Sequence, residues 1–365
     1  MGIKRILLKL SSHLDYPLLI MLLILMLLSL FVQYSAGNEN TTHLLMQGGN
    51  LLIALIVLVL VANISPWHLL SLAVPLYVGG VLLLLGVATF GDVINGSRRW
   101  LHLGVLRIQP SEILKIAAPL MLAWYFHTRE ATLRLADYGI AAALLALPVL
   151  LVARQPDLGT ALLIAASGFY VLFFAGLPWR LFLGSVALAG ASLPLVWHFL
   201  HDYQKQRLLT LLDPTKDPLG AGYHIIQSSI AIGSGGILGE GWLQGTQAHL
   251  DFLPEHTTDF VFAVFGEEFG LLGNILLLLL YLAIILRGLI LTDRAPNLFA
   301  RLLSASITLS FFTYVFVNMG MVSGILPVVG VPLPMISYGG TAQLIVLLGF
   351  GMMMSANTHR MLNKS

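Results

Sequence analysis

The sequence predicts an all-α polytopic membrane protein with about ten transmembrane helices. Its 365 residues are 58% hydrophobic and 10% charged, whereas a soluble domain of this size carries roughly 25% charged residues. The apolar residues also form long blocks, and about 20 such residues are enough to cross a bilayer. A chain with so few charges could not cover its surface in water, so we exclude a soluble fold.

The composition also excludes several classes of function. The formal net charge of +2 is too small to suggest nucleic-acid binding. The chain has no cysteine, which excludes disulfides, thiolate metal sites and a cysteine nucleophile. Its 11 histidines never form a closely spaced ligand pair, so the sequence carries no zinc signature.

Ten apolar blocks predict the membrane spans. In chain order they are Tyr16–Tyr34, His43–Val61, Leu69–Phe90, Ser111–Phe126, Tyr138–Val152, Leu158–Gly176, Leu181–Leu200, Asp259–Leu286, Leu303–Met319 and Ser337–Ser355. We interpret the first block as a retained span, because it lacks the small-residue cleavage site of a signal peptide. No internal repeat or separate polar domain is visible, and residues 1–365 are interpreted as a single transmembrane domain.

One connection, His201–Thr258 between the seventh and eighth spans, is far longer than the others. It predicts a large extracytoplasmic loop, and loops of this length usually bind something or move. Within it, Tyr203–Leu212 has an amphipathic pattern and predicts a helix in the membrane interface. The glycines of Gly220–Gly245 match no nucleotide-binding motif, so we reject a nucleotide site there.

The positions of lysine and arginine predict the orientation, because cytoplasmic loops carry an excess of both. With the N-terminus inside, eleven lie on the cytoplasmic side: Lys4, Arg5, Lys9, Arg129, Arg134, Arg180, Arg287, Arg294, Arg301, Arg360 and Lys364. Seven lie outside: Arg98, Arg99, Arg107, Arg154, Lys205, Arg207 and Lys216. We therefore expect both termini to be cytoplasmic. The outer cations lie close to carboxylates, which makes the outer face the expected place for chemistry.

The strongest candidate for a reactive group is Asp259, at the end of the long loop and the mouth of the eighth span. A carboxylate at the edge of the hydrocarbon is costly unless it is paired, hydrated or used. Partial burial would raise its pKa towards the range of a general base. The alternative is that Asp259 caps the N-terminus of the helix, a role that aspartate favours. Both roles remain open.

A second candidate is the pair Glu112 and Lys115 at the start of the fourth span. Residues three apart share one face of a helix, so the pair predicts an ion pair within the membrane. Pro110 and Ser111 before it are helix-start signals. A purely structural pair is at least as strong an alternative as a catalytic one, since removing one partner of a buried pair costs about 3–5 kcal/mol.

Two further outer segments carry candidate binding residues. Arg99 is suited to phosphate or carboxylate, while Trp100 favours the membrane interface. Anchoring to lipid headgroups is an equal alternative for this pair. Asp157 stands beside Arg154 at the start of the sixth span, where helix capping is the favoured alternative.

Asn318–Gly340 contains three prolines, Pro327, Pro332 and Pro334, together with paired glycines at its end. Proline prevents a regular helix, and glycine allows close approach of backbones. Irregular backbone at membrane depth is tolerated only against protein or a water-filled cavity. The segment is therefore predicted to line a cleft.

These segments together resemble the SEDS family, named for shape, elongation, division and sporulation. The matching stretches are Arg99–Leu101, Gln109–Glu112, Gln155–Thr160, Asp213–Ile232, Leu253–Phe262 and Asn318–Gly340. The resemblance runs over nearly the whole chain. The very short tails resemble the members that act in cell elongation more than those that act in division.

The resemblance implies a ten-helix SEDS fold and a peptidoglycan glycosyltransferase that polymerises lipid II. It implies the bacterial cytoplasmic (inner) membrane, with the active face outside the cytoplasm. The implied partners are a class B penicillin-binding protein, which crosslinks the product, and other membrane proteins of the elongation complex. Asp259 matches the family's essential aspartate. Trp100, Glu112 and Lys115 match positions that the family is thought to need for substrate handling or integrity.

The expected chemistry is an inverting transfer with Asp259 as general base. Asp259 would deprotonate the acceptor GlcNAc 4-hydroxyl, which attacks the MurNAc anomeric carbon and displaces the lipid diphosphate. We expect the growing lipid-linked glycan to be the donor. Arg99, Lys205, Arg207 or a bound Mg²⁺ or Mn²⁺ would neutralise the departing diphosphate.

Two other classes of function remain alternatives. A lipid II flippase or another transporter would need polar groups through the whole membrane, and Glu112, Lys115, Glu267 and Glu268 could line such a path. A polymerase would need its polar groups at the outer mouth, where most of the candidates lie. A non-catalytic scaffold of the wall-synthesis complex would tolerate the loss of Asp259.

Overall fold

The computed structural model describes residues 12–94, 97–103, 106–199, 202–217, 220–250 and 252–359. Its helices are α1 (Tyr16–Ala36), α2 (Thr41–Ala62), α3 (Pro66–Phe90), α4 (Pro110–Thr128), α5 (Leu135–Ala153), α6 (Leu158–Phe174), α7 (Trp179–Phe199), α8 (Asp202–Leu212), α9 (Ala221–Ser234), α10 (Thr246–His249), α11 (Val261–Asp293), α12 (Leu298–Val322) and α13 (Gly340–Thr358). All except α8, α9 and α10 coincide with a predicted span. The prediction of a polytopic helical fold is confirmed.

Seven of the described helices, α1, α2, α3, α5, α11, α12 and α13, are long and apolar enough by length and composition to cross a bilayer. Helix α6 is a shorter apolar helix, while α4 carries the charged residues Glu112 and Lys115. Large apolar side chains stay exposed on the outside of the bundle, among them Leu27, Leu45 and Leu276. In a membrane protein this apolar surface faces lipid rather than water.

The helix ends follow local sequence signals. The side chains of Asp15, Asn40 and Asn297 accept hydrogen bonds from the first turns of α1, α2 and α12, because a helix N-terminus leaves backbone N–H groups without partners. Helix α4 begins at Pro110, as predicted, since proline lacks the N–H that would be unsatisfied at this position. Helix α12 lies at the centre of the bundle and packs on α4, α6, α11 and α13.

A small antiparallel sheet precedes α4. Its strands are β1 (Asp92–Ile94), β2 (Ser97–Leu103) and β3 (Leu106–Ile108), in the order β1–β2–β3. The sequence analysis predicted no strand in this outer segment. Strands this short have little periodicity of their own and depend on pairing with a neighbour. The sheet places Arg99 and Trp100 on its central strand.

The long loop is largely ordered into short helices. The amphipathic segment predicted at Tyr203–Leu212 forms α8, and a 3₁₀ turn follows at Pro214–Lys216. Part of the glycine-rich stretch forms α9, which packs on α11. The loop therefore has more regular structure than its glycine content suggests.

Two predicted spans differ from the structure beside the cleft. The span Asp259–Leu286 is not a continuous helix, because α11 begins at Val261 and is interrupted at Gly270, where φ is 62° and ψ is −162°. The span Ser337–Ser355 begins at Gly340, since residues 337–339 are not helical.

Four backbone hydrogen bonds join the glycine-rich segment to the break of α11 at Gly270: Glu240 N to Glu267 O (2.9 Å), Gly241 N to Glu268 O (3.1 Å), Leu271 N to Gly236 O (2.9 Å) and Leu272 N to Ile237 O (3.1 Å).

Candidate active site

A cleft with a volume of about 680 Å³ opens at one end of the bundle. Helices α4, α6, α11 and α13 all begin beside it, while β2, α8 and residues 329–339 complete its walls. Seven of the eight predicted site residues line this cleft: Arg99, Trp100, Glu112, Lys115, Asp157, Arg207 and Asp259. The eighth, Lys205, lies on α8 but is not among the residues that line the cleft.

Asp259 lies at the edge of the cleft, one residue before the N-cap of α11. The N-cap is Phe260, so the capping role considered for Asp259 receives no support. Burial raises the pKa of the Asp259 carboxyl to about 6, with a further increase from Glu255 and an opposing decrease from Arg207. A carboxyl with this pKa is ionised at pH 7.5 but more basic than an ordinary aspartate.

The backbone around Asp259 is fixed to the irregular segment that follows α12. Asn318 donates to the carbonyl oxygens of Asp259 (2.8 Å) and Val331 (2.7 Å). Ser337 Oγ donates to Thr258 O at 2.6 Å and accepts from Leu333 N at 2.7 Å. The segment predicted to line a cleft does so, and it holds the loop that carries Asp259.

Gly330 leaves space for the Asp259 carboxyl. Its φ is +74°, and a Cβ atom there would lie 3.3 Å from Asp259 Oδ2. Only glycine adopts this backbone conformation without strain. The sequence analysis did not identify Gly330 or Tyr338 as site residues, although both line the cleft. Their position inside the proline-rich segment was the available signal.

Glu112 and Lys115 form the predicted ion pair. Lys115 Nζ lies 2.6 Å from Glu112 Oε1, with 9% and 14% of the two side chains exposed. Lys115 also lies 5.5 Å from the centre of the Tyr314 ring. The other carboxylate oxygen of Glu112 is buried and accepts no hydrogen bond from the described residues.

Arg99 joins the sheet to the start of α6. It donates to Pro156 O at 2.6 Å and to Gln155 O at 3.4 Å, and its guanidinium lies 3.7 Å from Asp157 Oδ2. Asp157 in turn accepts from Thr160 N at 3.2 Å, so the favoured capping role is confirmed. With 34% of its side chain exposed, Arg99 still presents positive charge to the cleft.

Glu267 and Glu268 are buried but do not line the cleft. Glu267 Oε1 accepts from Thr246 N (2.6 Å) and Gln247 N (3.1 Å), while Glu268 Oε1 accepts from Ser35 Oγ and from Leu243 N at 3.2 Å. Both carboxyl groups hold the outer loop against α11. They are therefore not part of the cleft.

A narrower apolar groove of about 390 Å³ opens beside the cleft, between α2, α4 and α13. It shares Gln109, Glu112 and Thr341 with the cleft, and its other walls include Ile53 and Leu344. The cleft itself is polar. A molecule with a charged or sugar headgroup and a hydrocarbon chain would fit this combination.

The described residues contain no group of three or more His, Asp or Glu side chains arranged to hold a metal ion. Three cations, Arg99, Lys115 and Arg207, line the cleft beside the carboxylates of Glu112, Asp157 and Asp259, and helices α4, α6, α11 and α13 begin beside it. Helix N-termini favour anions through their unpaired N–H groups and the helix dipole. The cleft is suited to an anionic substrate beside a carboxylate of raised pKa.

Comparison with known proteins assigns the chain to a family. Residues 12–362 match the family FTSW_RODA_SPOVE, described as cell cycle protein. The chain is 51% identical over 355 residues to the peptidoglycan glycosyltransferase MrdB of Escherichia coli K12, covering 97% of this chain and 96% of that protein. It is 30% identical over 428 residues to the peptidoglycan glycosyltransferase RodA of Treponema pallidum, covering 96% and 99% of the two proteins.

Two solved structures have the same fold. One belongs to a peptidoglycan synthase complex that coordinates polymerization and crosslinking; its TM-score is 0.81 at 38% identity, covering 94% of this chain and 97% of that chain. The other is the rod shape determining protein RodA of Thermus thermophilus; its TM-score is 0.70 at 32% identity, covering 94% and 96%. The predicted family is confirmed, together with its closer likeness to the elongation members.

Proposed function

We propose a mechanism for this chain from the premise that it belongs to the FtsW, RodA and SpoVE family of cell cycle proteins. It is a peptidoglycan glycosyltransferase, as its relatives are named, and its role is cell elongation. The observation that carries the mechanism is the position of Asp259, whose carboxyl has a pKa of about 6 and lines a cleft with positive charge.

Asp259 acts as the general base. Its carboxylate removes the proton of the acceptor GlcNAc 4-hydroxyl, and the oxygen attacks the MurNAc anomeric carbon on the side opposite the diphosphate. The new glycosidic bond forms as the bond to the diphosphate breaks, so the configuration inverts. The proton passes from Asp259 to water, and the lipid diphosphate leaves with the bonding electrons.

The leaving diphosphate is stabilised by fixed positive charge. Arg207 and Arg99 line the cleft, and four helices begin beside it. Preorganised charge of this kind lowers the energy of a developing anion. Lys205 lies two residues before Arg207 on α8. It stays a predicted contributor of positive charge. A Mg²⁺ or Mn²⁺ ion would add positive charge for the diphosphate beside Arg99 and Arg207.

The substrates are lipid II as acceptor and the lipid-linked nascent glycan as donor. Both join a hydrocarbon chain to a diphosphate and a sugar, and the apolar groove beside the polar cleft supports this choice. We propose that the cleft faces the extracytoplasmic side of the bacterial inner membrane. In support, the ion pairs Arg287–Asp15 (2.6 Å) and Arg129–Asp137 (3.0 Å) lie at the other end of the bundle, where the sequence places the cytoplasm.

We propose that a class B penicillin-binding protein crosslinks the product and that other membrane proteins of the elongation complex bind the chain. The likeness to a subunit of a synthase complex that coordinates polymerization and crosslinking supports a transpeptidase partner. The test is co-purification of the chain with such a transpeptidase from detergent-solubilised membranes.

The polymerase is distinguished from the transporter by two assays on one preparation. Purified protein with its transpeptidase partner, whose active site is blocked by a β-lactam, is given labelled lipid II in proteoliposomes. Glycan strands without net transfer of lipid II across the bilayer are expected. Transfer without glycan strands would favour the flippase, and neither activity would favour the scaffold.

The acid limb of the pH–rate profile is expected to have its midpoint near pH 6. Below the raised pKa of about 6 the Asp259 carboxyl is protonated and no longer a base, so kcat/KM falls about tenfold per pH unit. Initial rates between pH 5 and 8 measure the midpoint. Because Glu255 contributes to the increase in pKa, Glu255→Gln is expected to move the midpoint to lower pH. A midpoint near 4 in wild type would contradict the assignment.

Reversal of charge at Arg207 is expected to reduce the rate and to raise the pKa of Asp259. Arg207→Glu removes a cation from the cleft and adds an anion near the carboxyl, and a loss of about 10²-fold in kcat is expected. Arg294→Glu is the matched control, because this arginine lies at the opposite end of α11. Unchanged polymerisation in Arg207→Glu would remove Arg207 from the site.

A further inference from the structure

The outer end of α1 contains a completely buried glutamine, Gln33, with 0% of its surface exposed. Its amide nitrogen donates to Thr257 O and to Ile336 O, each at 2.8 Å. Its carbonyl oxygen lies 2.9 Å from His43 Nε2. Both N–H groups and the oxygen of the amide are therefore engaged, on residues far away in the sequence.

The orientation of this amide follows from its partners. Thr257 O and Ile336 O are acceptors, so the nitrogen of Gln33 must face them and the oxygen must face His43. His43 then donates from Nε2, which fixes its tautomer. The His43 ring also stacks on the Tyr338 ring, with 4.3 Å between centroids. The histidine thus holds both the amide and an aromatic wall of the cleft.

The two carbonyl groups belong to the backbone that forms the cleft. Thr257 lies two residues before Asp259, and Ile336 lies two residues before Tyr338, which lines the cleft. Tyr338 N also donates to Thr257 O at 2.8 Å. Gln33 therefore binds both segments at the place where they meet.

The loop that carries Asp259 is fixed from two sides. On the α12 side, Asn318 bonds to Asp259 O. On the α1 side, Gln33 bonds to Thr257 O. A neutral amide can supply two donors in this buried place without the large desolvation cost of a charged group. Asn318 lies in a motif that the sequence analysis identified, whereas Gln33 does not.

We propose that Gln33 is a positioning residue, which holds the Thr257–Asp259 backbone against the Tyr338 segment and so fixes the Asp259 carboxyl at the mouth of the cleft. The proposal rests on the proposed function. Gln33 does not line the cleft and acts through Thr257. Its loss would let the carboxyl move away from the acceptor hydroxyl, and a misplacement of about 1 Å costs up to about 10²-fold in rate.

The test compares three variants in the full-length chain, reconstituted with its transpeptidase partner. Gln33→Leu replaces the amide with an apolar side chain and so removes both donors. Gln33→Met keeps the length of the side chain but supplies neither donor. The matched control is Asn357→Leu, which removes a half-buried amide of α13 that donates to Ser304 Oγ at 2.7 Å and to Met353 O at 2.8 Å, both outside the two peptides.

Two measurements are made on each variant: hydrogen–deuterium exchange of the peptides that cover 253–260 and 333–338, and kcat and KM of polymerisation. Both Gln33 variants are expected to exchange at least about tenfold faster in these peptides and to lose about 10–100-fold in kcat with KM little changed. Asn357→Leu is expected to lose thermal stability while both peptides and kcat stay close to wild type.

If folded Gln33→Leu exchanges the two peptides at the same rate as wild type, the proposal is overturned even without an activity assay. Fast exchange with unchanged kcat would overturn the link to catalysis, as would full kcat in Gln33→Met. A wild-type protein that makes no glycan would overturn the proposed function and the catalytic role of Gln33 together. In that case the exchange data alone decide whether Gln33 holds the loop.

Discussion

Replacement of Asp259 by asparagine is expected to abolish polymerisation, with a loss of about 10²–10⁴-fold in kcat, the range that a general base supplies. Asparagine keeps the size of the side chain but cannot accept the proton of the acceptor hydroxyl. The measurement is glycan synthesis from lipid II by purified protein with its partner, whose transpeptidase is blocked.

Loss of folding is a separate outcome that the same design detects. Burial raises the pKa of Asp259, which means that the folded protein disfavours the charged form. The neutral asparagine is therefore expected to keep or increase the melting temperature at pH 7.5. Glu240→Gln removes an exposed carboxylate of the same outer loop and should leave synthesis unchanged. Equal glycan from wild type and Asp259→Asn would remove Asp259 from catalysis.

Single substitutions in the Glu112–Lys115 pair are expected to have the largest effect on stability. Lys115→Met leaves the Glu112 carboxylate buried without its cation, and the expected cost is about 3–5 kcal/mol in the free energy of unfolding. The double variant Glu112→Gln/Lys115→Met has no buried charge and is expected to recover most of that loss. Thermal unfolding in detergent measures both effects.

Activity of the double variant separates the two roles that the sequence left open. If Glu112 contacts substrate through its free oxygen, a stable double variant remains inactive, which is the expected result. Full activity would make the pair purely structural. Arg287→Met, in the ion pair with Asp15 at the other end of the bundle, is the control: it should lower stability without changing kcat of the folded protein.

The sequence predicted the features that depend on composition and on local order. Spans need only length and apolarity, so all ten had counterparts among the helices. Asp259, Glu112 and Lys115 were identified because charge at the edge of an apolar block is costly and therefore conspicuous. Asp157 was interpreted as a cap from its position before a helix, and the bond to Thr160 N bears this out.

Features that depend on distant partners were not predicted. Gln33 lies 224 residues from Thr257 and 303 from Ile336, and nothing near it in the chain indicates those contacts. Three-residue strands such as β1 exist only because a neighbour pairs with them. Gly330 looks like any loop glycine until the fold places the Asp259 carboxyl 3.3 Å from where its side chain would begin.

The interruption of α11 at Gly270 makes a rigid corner rather than a hinge. A bare break would let the two pieces of the helix pivot, but here residues 236–241 take up the backbone groups that the break releases. A Cβ atom at Gly270 would lie 2.4 Å from Gly239 N, so the corner has no room for a side chain at this position. Because the loop bonds to both pieces of the helix, the two pieces and the outer loop are expected to move as one body, so a tilt of the long lower piece in the bilayer would be carried to the base.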